Sequence, residues 1–452
     1  MNRYAPHLLL LITVIGYAAI AKTRRHVLAI VQGDNQRTKT RHAQVEKQSV
    51  SANLPVLEIS TPHTITDEPK VACTVQISAP KALARWNTQP LTARIEIRGG
   101  VSRMYPKQSY AFELDRPAQL LDMRTDDDWI LNAAYVDISL IRHKLAFDLF
   151  RSLATPRVFS SAFDPTSRRV GSKDSAFDEE TLTEQRFAVA SQFIEVYLNG
   201  TYRGVYLLME RVDAELLRFI PWHQDIPHPA CTYKAVNHSA NFRELGHRGY
   251  DQKEPNPKQQ THWEPIDVFN AFVVTANQEE FFHPHTGIAS RLNLRNAIDF
   301  HLLVLVSSNY DGITKNFYLC RDGSHSEQLT TRFFFVPWDY DGSFGRNWDG
   351  RKTSHSDWIT NHLFQRLLTD KTYRHTFQAR WNTLRKKQFS ADYIHSLIDK
   401  YVHTLGDAAT RNFDQWPTHK HHNPLPFEKE IAYIKSWTED RLRWLDQEIN
   451  HQ

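Results

Sequence analysis

Hydrophobic spacing changes character along this 452-residue chain, and that change limits the folds open to it. As far as Val212 the clearest apolar runs alternate with polar residues, the two-residue period of a half-buried strand. "LTARIEIRG" and "SYAFEL", between Leu91 and Leu114, predict one hairpin across a polar segment. "FIEVYLNGTYRGVYLLMERV" (Phe193–Val212) predicts a second, turning at Asn199-Gly200. One helical stretch interrupts this half: Ile138–Phe150, with Asp137 or Ser139 as its cap. Further on, Ala297–Asn309 predicts an apolar helix, and Lys315–Cys320 and Arg332–Asp341 predict two strands around a polar turn. From Trp358 the period becomes helical. Ser390 is placed to cap a helix whose Ile394, Leu397, Ile398, Tyr401, Val402 and Leu405 form one stripe, and a last helix runs from about Phe427 to Ile449. Residues 160–187 and 220–290 read as irregular. The order, β-rich first and α-rich last, predicts an α+β chain of two lobes: a β-rich lobe over 53–215 and an α-rich lobe over 216–452.

Three cysteines, Cys73, Cys231 and Cys320, are too few for a disulfide framework, so burial must stabilise the chain, and Cys320 reads as strand packing. The net charge of +4 is concentrated at the start: residues 1–48 hold eight Lys/Arg against two Asp/Glu. The remainder is near neutral, which gives no case for nucleic-acid binding. Leu8–Ala21 is too short an apolar run for an ordinary spanning helix and suits a signal peptide, with Ala19-Ile20-Ala21 as a cleavage pattern. Residues 1–21 are therefore expected to be a signal peptide or membrane anchor, and 22–52 a basic flexible tether. The expected location is exported or membrane-anchored: periplasmic, cell surface or secreted. Lys22, Arg24 and Arg25 directly after the apolar run keep an inward-facing anchor as the alternative.

Candidate chemistry gathers around the predicted strand pair. Asp311 and Asn316 stand five residues apart between a helix and a strand, and Asp339 and Asp341 end the following strand. That spacing follows the logic of a phosphoryl-transfer loop, in which one Asp takes a hydroxyl proton while an Asn and a later Asp hold Mg²⁺. In a continuing strand, Asp339 and Asp341 would face one side. Asp311-Gly312 and Asp341-Gly342 also read as plain turns. Arg98, Arg103 and Lys107 lie in a glycine-containing segment that suits phosphate, and Glu210 ends an apolar strand. His283 with His285, and His419 with His421 and His422, lie in Pro-rich stretches and read as surface loops.

These stretches resemble the CotH family, the spore coat protein H kinase-like proteins. "IEIRGGVSRMYPKQSYAFEL", "WILNAAYVDISLIRHKLAFDLF", "VYLNGTYRGVYLLMERVD", "YDQKEP", "NYDGITKNFYL", "FFFVPWDYDGSFG", "RNFDQWP" and "WTEDRLRWLD" follow in the family's order, over about residues 53–447. The resemblance implies a divergent two-lobed protein-kinase-like fold and an atypical protein kinase. Such an enzyme moves the γ-phosphate of ATP to Ser or Thr of a protein acceptor, with Mg²⁺ or Mn²⁺. Asp311 then matches the catalytic base, and Asn316 and Asp339 match metal ligands with Asp341 as a second aspartate. Arg98, Lys107 and Glu210 match the nucleotide and phosphate side. Two alternatives stand beside it: a non-catalytic surface or interaction protein that keeps the fold, and a metal-dependent phosphohydrolase. No oligomeric state is implied.

Overall fold

A computed structural model describes residues 53–451 apart from 154–187, 221, 224, 327, 330 and 418–423. The expected leader, the tether, nearly all of the 160–187 stretch, and His419, His421 and His422 lie outside the described residues.

Seven strands close into a barrel: β1 (Val56–Ser60), β2 (Val71–Ser78), β3 (Leu91–Arg98), β4 (Ser109–Gln119), β5 (Thr125–Asn132), β6 (Ser191–Leu198) and β7 (Thr201–Glu210). Their order is β1-β2-β3-β4-β5-β7-β6, and the parallel pairing of β1 with β6 closes the ring. Both predicted hairpins are present, β3 with β4 and β6 with β7. At the second turn Asn199 and Gly200 both have positive φ (50° and 72°), the geometry that matches the twist of the flanking strands. Leu57, Ile95, Phe112, Trp129, Ile194, Val196, Tyr206 and Leu208 fill the barrel. On the outer side of the same strands, Phe193, Val205, Leu207 and Met209 join a second core shared with the helices. Strands β6 and β7 are thus buried on two faces, which is why Val205–Met209 is an unbroken apolar run.

The region read as irregular contains β8 (Cys231–Ala235), β9 (Tyr250–Glu254) and helix Glu264–Thr275. With β10 (Phe317–Arg321) and β11 (Phe334–Pro337), these strands make an antiparallel sheet of order β11-β10-β8-β9. Five further helices carry the argument: α1 (Arg142–Ser152), α2 (Leu294–Ser307), α3 (Ala391–Leu405), α4 (Asp407–Gln415) and α5 (Phe427–His451). Helix α2 is buried almost all round and touches α1, α5 and β11. The Ser390 hydroxyl caps α3 by accepting from the Tyr393 N–H at 3.2 Å. Helix α1 starts later than expected. Leu140 is left-handed (φ 63°), so the chain turns before the helix, and Asp137 caps it from five residues upstream by accepting from the Arg142 N–H at 2.8 Å. Among the described residues, no helix is long and apolar enough to cross a membrane.

Candidate active site

Helix α2 ends at Ser308 in the left-handed region (φ 52°), which turns the chain sharply into Asn309. The Asn309 amide then ties two loops together. Its oxygen accepts from the Gly312 N–H at 2.9 Å, and its NH₂ donates to the Asp339 carbonyl at 3.1 Å. A Cβ at Gly312 would sit 2.7 Å from that amide and displace it. Asp311 opens a short turn whose carbonyl accepts from the Lys315 N–H at 2.8 Å. Asn316 follows with φ 60°, its N–H donating to the Ala235 carbonyl and its own carbonyl accepting from Trp338. Sheet strands therefore hold Asn316 and Trp338 side by side. The predicted strand through Asp341 stops at Pro337, and Asp339 has φ 60°. The two aspartates reach one cleft through this left-handed kink, not through strand alternation.

Asp311, Asn316, Asp339, Asp341, Arg98 and Lys107 all line one cavity of about 400 Å³, within the range of small-molecule sites. Gly99–Ser102, between β3 and β4, forms part of the wall, and Tyr105 stacks on Tyr135 at 5.1 Å beside it. Glu210 is not in this cavity. Its carboxylate accepts from the Ala190 N–H at 2.7 Å and lies 3.7 Å from Arg124. The neighbouring Met209 lines the cavity instead, as strand alternation requires. Lys107 contributes to the wall, but its ammonium donates to the Val205 carbonyl and, at 2.9 Å, to the Asn412 amide oxygen. That ammonium braces the barrel and is not offered to a phosphate. Arg103 is paired with Asp67 near the surface. His283 and His285 are exposed, and Cys320 is buried in β10.

Three side chains that sequence reading passed over complete the cleft. His143, on α1, shares a 3.2 Å hydrogen bond between Nε2 and Asp339. Lys315 holds its ammonium 2.9 Å from Asp311. Lys234, the lone cation in the apolar run "CTYKAV", faces Trp338 and Tyr318. For Lys234, a single charge in a strand otherwise buried was the available signal.

Burial pushes the Asp341 carboxyl up to about 7, and the Asp339 charge beside it adds to the rise. Burial also works against an ionised Asp339, but the His143 hydrogen bond and the charges of His143, Lys234 and Arg98 hold it below the usual carboxylate range. A divalent cation would let both aspartates ionise together. Among the described residues, no three His, Cys, Asp or Glu side chains form a cage of their own. Two carboxylates and the Asn316 amide oxygen instead fit a hard cation that takes its remaining ligands from phosphate and water.

Beneath the Asp341 loop lies a buried charge network. Arg142 donates to Asp137 at 2.6 Å, to Glu430 at 2.7 Å and to the Ser343 carbonyl at 2.7 Å. Arg346 bonds Glu430 from the other side at 3.0 Å. Helix α4 clamps the barrel in a similar way. Arg411 pairs with Glu195 at 2.9 Å, and the Trp416 indole donates to the Arg203 carbonyl. Gly204 (φ 96°) leaves room for Asn412, whose amide oxygen would stand 2.5 Å from any Cβ there.

The family model described as CotH kinase protein matches residues 95–445. The chain belongs to the CotH family. It is also 23% identical over 383 residues to the inner spore coat protein H of Bacillus subtilis (strain 168), an alignment covering 82% of this chain and 90% of that protein. The CotH match takes in every residue of the cleft and of the network beneath it, whereas β1 and β2 precede it.

Proposed function

We propose that this CotH chain is an atypical protein kinase that moves the γ-phosphate of ATP to a Ser or Thr hydroxyl of a protein acceptor. The reading rests on one observation above all: Asp311, Asn316, Asp339 and Asp341 share a single cavity under a glycine-containing segment. In this reading the barrel serves as the N-terminal lobe and the helix-rich remainder as the C-terminal lobe, with the nucleotide between them. Bound Mg²⁺ or Mn²⁺, held by Asn316, Asp339 and Asp341, would supply charge neutralisation to the phosphates. Asp311 orients the acceptor hydroxyl and takes its proton. The acceptor oxygen bonds to the γ-phosphorus as the bridge to the β-phosphate breaks, and ADP leaves. Lys315, against Asp311, offsets charge on the group in transfer. Positioning and electrostatics carry the reaction, since the protein forms no covalent bond to the substrate. The expected setting is outside the cytoplasm or at a membrane, through residues 1–21.

Labelled ATP with Mg²⁺ or Mn²⁺ tests the reading. Label on protein is expected, with Asp311→Asn abolishing transfer while nucleotide still binds, and Asp339→Ala losing metal-dependent binding as well. Release of free phosphate alone would indicate a hydrolase. The absence of any ATP-dependent thermal shift would indicate a binding scaffold.

A further inference from the structure

Arg98 ends β3 and Lys234 lies within β8, yet both reach the same indole. The Arg98 guanidinium and the Lys234 ammonium each lie 5.8 Å from the centre of the Trp338 ring, and Lys234 is equally far from the Tyr318 ring. Both line the cavity that holds Asp339. The other two basic side chains of that wall are engaged: Lys107 by Val205 and Asn412, Lys315 by Asp311. Among the described residues, Arg98 and Lys234 form neither a hydrogen bond nor an ion pair. These two like charges, partly buried beside one indole, repel each other, and the carboxylate near them, Asp339, is already shared with His143. An anion between them offsets that repulsion. A guanidinium fork suits phosphate oxygens, and an ammonium adds a point charge.

We infer that Arg98 and Lys234, spaced by Trp338, are the grip for the non-transferred phosphates of a nucleoside polyphosphate, and that Lys107 is not part of it. The inference rests on the kinase reading and adds to it the residues that select a polyphosphate. The nearby Asp339 argues against a bare monoanion such as a carboxylate, because an occupant here must also carry a cation to that aspartate. A metal-bound polyphosphate does so.

Calorimetry on the full chain with Mg-ADP, Mg-AMP and magnesium tripolyphosphate tests the grip. Lys234→Met and Arg98→Met should each weaken Mg-ADP and tripolyphosphate by roughly tenfold or more, the scale of one charge-assisted hydrogen bond. The effect on Mg-AMP should be smaller, and Lys234→Arg should recover most of the affinity. Wild-type binding in both Met variants overturns the grip alone. Equal losses for AMP and tripolyphosphate assign the two residues to packing and also overturn it. A wild-type chain that binds none of the three probes overturns the kinase reading together with the grip.

Discussion

Glu430→Ala removes a buried carboxylate that two guanidiniums share. Asp137 and Glu430 balance Arg142 and Arg346, and the Glu430 side chain is fully buried. Removing one partner of such a buried ion pair costs about 3–5 kcal/mol. Unfolding entropy of roughly 2.1 cal/mol/K per residue, over the unit Ser51–Gln452, converts this to a fall in Tm of about 4–6 °C. Glu430→Leu with Arg346→Met leaves Arg142 paired with Asp137, so this double variant should be more stable than Glu430→Ala despite losing more bonds. Arg142 also holds the Ser343 carbonyl, two residues beyond Asp341. Glu430→Ala should therefore raise the Mg²⁺ concentration needed for nucleotide binding. Thermal and urea denaturation, with a Mg²⁺ titration, measure all three effects. A Glu430→Ala protein melting within 1 °C of wild type, or a double variant less stable than the single one, would refute this account.

His143→Ala removes the 3.2 Å bond to Asp339 and should weaken metal-dependent nucleotide binding by about 10–100-fold, read by Mg²⁺ titration. Gly204→Ala places a methyl against Asn412 at a positive φ and should cost about 1–3 kcal/mol, read as a lower urea midpoint. Asp126, buried beside Arg124 and Asp213, has its carboxyl pushed up to about 7 by burial first, with the Asp213 charge adding to the rise. Between pH ~4 and ~7 the folded state then holds a proton that the unfolded state releases, so this group lowers stability as pH rises, by up to ~1.4 kcal/mol per pH unit. Asp126→Asn should flatten that slope, measured by urea unfolding across the range; an unchanged slope counts against the assignment.

Local signals in the sequence survived folding well. Asn199-Gly200 predicts its hairpin because only residues tolerant of positive φ make that turn, and Ser390 predicts its cap because the bond spans three residues. Closure of the barrel was not legible. It depends on β1 pairing with β6 across a long stretch of chain, and no local pattern encodes such a partner. Strands β8 and β9 were missed because five-residue strands amid Pro, His and Asn carry little periodicity. In the candidate site, residue types and spacing marked Asp311, Asn316, Asp339 and Asp341. The direction of a long side chain is set by tertiary partners, so the turning of Lys107 toward Asn412 could not be read. Glu210 was misplaced by one residue, which in a strand means the opposite face. Lys234 was hidden within an apolar run whose period described packing, and His143 stood between Arg142 and Lys144 in a basic helix start.

The contacts that brace the cleft join the two ends of the described chain: Lys107 to Asn412 spans 305 positions, and Arg142 to Glu430 spans 288. During synthesis the chain emerges from the ribosome in order, so the barrel strands are made long before their clamp. A nascent chain that has exposed its glycine-containing segment and the cleft residues Asp311, Asn316, Asp339 and Asp341 still lacks the residues that set them in place. The cleft is therefore completed late, once residues 411–430 are free of the exit tunnel.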